Sequence, residues 1–150
     1  MKKLLFSLSL LLGFSTLCFS QNQYDEPLAT KLGADELGMK KYVMAFLLRG
    51  DRISEYSAEQ RQEIQAGHMA NIGKMAEMGK LVLAGPFFGN EDLRGIYIFD
   101  VQSIEEAKAL TETDPAIKAG VLKMDLKEWY GSAALLMVNE LHEKIAKKSF

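Results

Sequence analysis

Apolar and polar positions along this chain follow two periods, and the switches between them mark out the elements. Tyr42 to Leu48 is almost wholly apolar, which suits a strand buried on both faces. Arg49, Gly50, Asp51 and Arg52 form a loop, and Ser57-Ala-Glu-Gln60 is a capping box that opens a helix. Ile64, His68, Ile72 and Met75 recur at three- and four-residue spacing and make its inward stripe. The helix runs to Met78, with Gly79 as a left-handed stop. Leu81 to Ala84 is a second strand that ends in Gly85-Pro86-Phe87-Phe88, and Gly89 to Asp92 is a turn. Gly95 to Phe99 is a third strand, again apolar throughout. Ser103-Ile-Glu-Glu106 reads as a second capping box, and Asp114-Pro115 starts a further short helix ended by Gly120. Leu122 to Trp129 alternates, with Leu122, Met124 and Leu126 facing one way and Lys123, Asp125 and Lys127 the other. Gly131 breaks this strand, and Ser132 caps a final amphipathic helix carrying Leu135, Val138, Leu141 and Ile145.

The order β-α-β-β-α-β predicts an α+β fold, a ferredoxin-like antiparallel sheet with an added C-terminal helix. Its two central strands are the first and third, which are the two continuous apolar runs. Two helices cover one face of such a sheet. The other face then presents Val43 or Met44, Ile96 and Ile98 as an apolar patch, which predicts a homodimer packed sheet to sheet.

Ahead of this domain the chain changes character. Lys2 and Lys3, the apolar run Leu4 to Phe14, and small residues Cys18 and Ser20 before Gln21 have the layout of a secretory signal peptide. The run is about half the ~20 residues a membrane-spanning helix needs, so no span is expected after cleavage. A lipoprotein with Cys18 as the lipidated residue is the weaker alternative, because Leu17 stands where a small residue is expected. The expectation is an exported protein, periplasmic or secreted. Residues 21–40 read as a linker or arm with one helical hint from Asp25, Pro27 and Gly33; residues 41–131 form the domain and 132–150 the final helix.

Loss of Lys2 and Lys3 takes the formal charge from −2 to −4, and no basic run follows, so nucleic acid is not an expected partner. The same cut removes the chain's only cysteine, and with it any disulfide, thiol nucleophile or thiolate ligand. With two histidines and no metal-ligand spacing, neither a metal nor another cofactor is expected. Phosphate-loop and serine-nucleophile motifs are likewise missing.

Several fragments resemble the YCII-related family in order and spacing over roughly residues 40 to 135. They are Gly67-His68-Met69-Ala70-Asn71-Ile72, Gly79 to Phe87, Leu93-Arg94-Gly95-Ile96, Glu105-Glu106-Ala107 and Thr113 to Gly120. The resemblance implies a dimeric α/β-barrel and a candidate active site made of the helix histidine, here His68, and the aspartate of the Asp-Pro step, here Asp114. One relative in chloroaromatic degradation is a dehydrochlorinase, while most of the family has no assigned reaction. The arm before Lys40 and the helix beyond about Ala134 lie outside the shared core.

Each candidate residue has a structural and a chemical reading. His68 is either a core-edge histidine held by a hydrogen bond or a general base, since imidazole titrates near neutral pH. Asp114 is a helix cap, and also a group able to orient that imidazole. Gly85, Pro86 and Phe87 close a strand and stand where they could line a cleft. Arg94 either anchors an acidic substrate or pairs with Asp92 or Glu91. Trp129 is a cleft wall or an interface residue, and Asn71, one turn from His68, points into the same space. His142, on a late and mostly polar helix, is given no role. Two readings follow: a proton-transfer enzyme of lyase, isomerase or hydrolase type acting on a small organic molecule, or a non-catalytic periplasmic small-molecule-binding dimer. Haem with His68 as axial ligand is a variant of the second, and assembly through the C-terminal helix is a third role.

Overall fold

The computed structural model describes residues 24–148. The segment expected to be a leader, with its expected cleavage site and Cys18, lies outside the described residues. The arm forms a short helix, α1 (Glu26–Leu32): the Asp25 carboxylate accepts from the Leu28 amide, and Gly33 ends it at φ 63°.

Strand β1 (Met39–Arg49) is longer at both ends than its apolar run, because every residue of it pairs with β4 (Leu122–Ser132). Helix α2 (Ala58–Glu77) opens with the complete capping box of Ser57 and Gln60. Strands β2 (Leu81–Pro86) and β3 (Leu93–Phe99) follow, then α3 (Ile104–Thr111) and α4 (Pro115–Lys118). The sheet order is β2-β3-β1-β4, antiparallel throughout, so the apolar β1 and β3 are central as expected of a ferredoxin-like arrangement. No helix among the described residues is long and apolar enough to cross a membrane.

The main core lies between the sheet and α2 and α3. It holds Val43, Ala45 and Leu47 of β1, Tyr97 and Phe99 of β3, Met75 of α2 and Ala107 of α3. Leu122, Met124 and Leu126 of β4 pack against it, as their alternation predicts. Full burial of a side chain such as Phe99 contributes about 2 kcal/mol each time it is repeated across this layer.

The other face differs from expectation. Val43 belongs to the helix side, and Ile98 is buried, because the chain after β4 folds back over it. That segment is a 3₁₀ turn, Ala133–Met137, before α5 (Val138–Ile145), so the last α-helix is shorter than Ser132 suggested. Leu135 and Leu136 cover Tyr42, Val82 and Ile98, and the Asn139 side chain donates to the Leu81 carbonyl at 2.9 Å. Leu141 and Ile145 remain exposed.

Two local readings are also revised. Gly131 does not break β4 but continues it opposite Lys40, and the Trp129 ring lies where a Cβ at 131 would be, 2.2 Å from its nearest atoms. Ser103 caps α3, yet Glu106 does not return the bond. Its carboxylate takes the Gln102 amide and the Lys80 ammonium instead, the latter a stronger, charged donor.

Candidate functional site

The site forms where α2 passes the start of α4. His68 faces inward because it shares the α2 stripe with Ile64, Ile72 and Met75. Asp114 arrives from the far side of α3 as the N-cap of α4, with Oδ1 accepting from the Ala116 amide at 2.8 Å. Its Oδ2 lies 2.8 Å from Nδ1 of His68. One carboxylate thus caps a helix and holds an imidazole, and its side chain is fully buried.

Gly67 makes this approach possible. A Cβ at that position would come within 2.9 Å of the Pro115 ring, so only a glycine lets α4 lie this close to α2. The Gly67-His68 and Asp114-Pro115 pairs therefore work together: one residue of each brings the helices into contact, and the other meets across the contact.

The pairing fixes the chemistry of the ring. A carboxylate only accepts, so Nδ1 carries a proton toward Asp114, and in the neutral ring the lone pair is therefore on Nε2. Nε2 faces the Tyr97 hydroxyl at 3.3 Å, a long contact, and the two rings stack at 20° with centroids 6.3 Å apart. Burial first, and then the negative charge of Asp114, push the Tyr97 phenol far above its ordinary range, so it stays a proton donor. Both His68 and Tyr97 line a cavity of about 480 Å³ between α2, the sheet and the β2–β3 turn. Its walls are mostly apolar, including Leu47, Ile53, Ile64 and Leu122, with polar groups at a few places.

The other candidates divide. Gly85 and Pro86 line this cavity, and an added Cβ at Gly85 would meet nothing within 4 Å, so that stretch of wall is open. Arg94 also lines it. Leu47 pairs with Gly95 and Leu48 with Leu93, which leaves Arg94 as the extra residue of a bulge and turns it to the cavity side. It does not pair with the Asp92 or Glu91 carboxylates; its Nη1 reaches the Glu91 and Gly89 carbonyls and the Asn90 side chain at 3.3–3.5 Å.

Three residues expected at the cleft lie elsewhere, though the interface reading of Trp129 is untouched by its position. Phe87, one residue beyond Pro86 on the pleat, points out of the cavity and is half exposed. Trp129 shares a face with Lys127 and Asp125, so it packs on Tyr42 at 5.9 Å on the far side of the sheet. Asn71 leaves the inward stripe toward α3, where its carbonyl oxygen accepts from the Thr113 hydroxyl at 3.0 Å.

Sequence reasoning missed Tyr97, hidden as one hydroxyl inside an apolar central strand; a buried phenol always needs a partner, and that was the available signal. It also missed Arg49 and Arg61, which line the cavity. Arg61 precedes His68 by seven residues and so stands on the same face of α2. Among the described residues no three His, Cys, Asp or Glu side chains converge as a metal site requires.

Residues 44–130, more than half of the chain, match the YCII-related domain. The uncharacterized protein YjpA of Bacillus subtilis (strain 168) is 31% identical over 68 residues, 45% of this chain and 78% of that protein. A solved structure of 5-chloro-2-hydroxyhydroquinone dehydrochlorinase (TftG) from Burkholderia phenoliruptrix AC1100, in complex with 2,5-dihydroxybenzoquinone, is 23% identical. It covers 57% of this chain and 92% of that one at a TM-score of 0.43. By the extent of the domain match and the identity to YjpA, the chain belongs to the YCII-related domain family.

Proposed function

We propose that this protein is a proton-transfer enzyme acting on a small organic molecule held in the cavity, with His68 as general base and acid. The observation that carries the reading is the 2.8 Å contact between Nδ1 of His68 and Asp114, which leaves Nε2 basic and on the cavity wall. Asp114 orients the ring and stabilises the imidazolium that forms when Nε2 takes a proton. Tyr97 holds Nε2 in line until substrate arrives, and its phenol then donates to charge that develops on the substrate. Elimination, isomerisation and hydrolysis all use such a group. His68→Ala is expected to lower turnover by about 10²–10⁴-fold. Unchanged turnover in that variant ends the proposal.

A specific contact favours the second reading, a binding module. The lone pair of Nε2 already receives the Tyr97 hydroxyl, so His68 serves equally as a hydrogen-bonding wall. Ligand binding that survives in the absence of any turnover distinguishes this case. We further propose an exported location from the leader in residues 1–20, tested by the mass of the secreted or periplasmic protein. A homodimer through Met44, Phe46 and Ile96, the half-buried part of the far sheet face that Leu135 and Leu136 leave uncovered, is tested by light scattering. A monomer mass at micromolar concentration rejects it.

A further inference from the structure

The cavity wall is unusual in its charge. The chain carries 20 acidic and 18 basic residues, yet among the described residues the wall has three arginines, Arg49, Arg61 and Arg94, and no carboxylate. Two of the three are held side by side. The Asn90 side-chain oxygen accepts from Nη2 of Arg49 at 2.7 Å and from Nη1 of Arg94 at 3.4 Å. Those nitrogens therefore lie within about 6 Å of each other, where like charges repel.

Their existing partners leave most of that charge unanswered. Among the described residues Arg94 meets only carbonyl oxygens, none closer than 3.3 Å. Arg61 donates Nη1 to the Tyr56 carbonyl at 2.6 Å, and its charge acts only weakly on the nearby Glu59 carboxylate. Arg49 has one ion pair, Nε to Asp92 at 3.4 Å, with a carboxylate that is 91% exposed. A planar fork facing neutral oxygens is prepared for an anion with two acceptors in one plane.

The spacing sets the size of that anion's carrier. Arg61 stands two helical turns, about 10 Å, before His68 on the same face of α2. Ile64 and Met69 line the cavity beside that stretch, with Leu47 and Leu122 across from it. The cavity of about 480 Å³ that the arginines share with His68 has room for one ring or a short alkyl chain between a carboxylate and Nε2.

We propose that the cavity takes a small carboxylic acid, its carboxylate held by Arg49 and Arg94, with Arg61 lining the same cavity, and its apolar body directed toward Tyr97 and His68. This rests on the reading of His68 as the reacting base for its orientation, though not for its affinity. Binding to the purified protein is measured by calorimetry for benzoate, phenylacetate and hexanoate, each against its neutral amide. At least one acid is expected to bind tenfold or more tightly than its amide. Arg94→Gln and Arg49→Gln each weaken that acid by about tenfold and leave the amide unchanged, Arg94→Lys restores part of the loss, and Asp92→Asn tightens binding by removing the competing carboxylate. Equal binding of acids and amides, indifference to both glutamine variants with circular dichroism unchanged, or no binding of any acid at millimolar concentration overturns the proposal. His68→Ala separates it from the proton-transfer reading, since acid binding persists in that variant if the arginines are the anchor. Turnover of a neutral substrate that depends on His68 would keep the base and lose the acid.

Discussion

Two buried tyrosines on the adjacent central strands show how one side chain is put to different ends on opposite faces of a sheet. Tyr42 of β1 lies on the far face, packed on Trp129 and under Leu135 and Leu136, and its hydroxyl donates to the Ser132 carbonyl at 2.9 Å. Tyr97 of β3 lies on the helix face, and its hydroxyl meets an imidazole nitrogen at 3.3 Å beside an open cavity. The first bond has normal length and a backbone partner, so it ties the segment after β4 to the sheet. The second is long, and its partner can exchange a proton. Burial raises both phenols, Tyr42 to about 12, but the second cause differs: Asp100 for Tyr42 and Asp114 for Tyr97. Position in the sheet makes one a fastening and leaves the other available for chemistry.

The comparison breaks most sharply at Asp114. Asp114→Asn keeps the cap through its side-chain oxygen but removes the charge that selects the Nδ1–H tautomer. Turnover is expected to fall by about 10²-fold or more. The same change should lower the Tyr97 titration toward its ordinary range and leave Tyr42 where it is, read by absorbance near 295 nm. Equal movement of both tyrosines would show that the two environments are not distinct.

Next in size is Gly67→Val. The added branch strikes Pro115 and pushes α4 from α2, costing about 2 kcal/mol in urea unfolding and separating Asp114 from His68. The ring ¹⁵N shifts of His68 should then report a mixture of tautomers, with the Tyr42 side of the sheet undisturbed.

Alkaline pH tests what the two tyrosines share. Each phenol is neutral when folded at a pH where the unfolded chain ionises it, so the folded state binds the extra proton. The stability they contribute is complete below pH 10 and is lost as pH rises from there through about 12 for Tyr42. A rise in the unfolding midpoint over that range would contradict the assignment.

The smallest effects separate the tyrosines most cleanly. Tyr42→Phe should cost about 1 kcal/mol and leave turnover alone, since only a backbone carbonyl loses its donor. Tyr97→Phe should change stability by less than about 0.5 kcal/mol, because its bond is already long, and should shift the pH profile of turnover instead. The reverse pattern would exchange the two roles.

Much of this was legible in the chain. Capping residues at Ser57, Asp25 and Asp114, glycine stops at Gly33 and Gly79, and the two apolar runs specify elements through local bonds and burial period. Those are properties of neighbours in sequence. The histidine and the aspartate were named as a site by the family resemblance, while their own segments gave only an inward-facing helix position and a cap. Which way Arg94, Phe87 and Trp129 point was not legible, since a bulge or a one-residue step along the pleat reverses a side chain. The fate of the far face was hidden for a similar reason: Leu135 read as part of one stripe of a regular helix with Val138, Leu141 and Ile145, and only a 3₁₀ turn lays it, with Leu136, on the cluster around Tyr42.

The sequence by itself determined which segments are strands and helices, their order, and the residue types from which a site could be made, because each follows from period, capping and turn chemistry within a few residues. Only the tertiary structure decided that Asp114 reaches His68, that Tyr97 faces the ring, and that three arginines share one wall. The first two contacts join residues 46 and 29 positions apart, the first through the close approach of α2 and α4 that Gly67 permits, and the arginines come from β1, α2 and a bulge of β3.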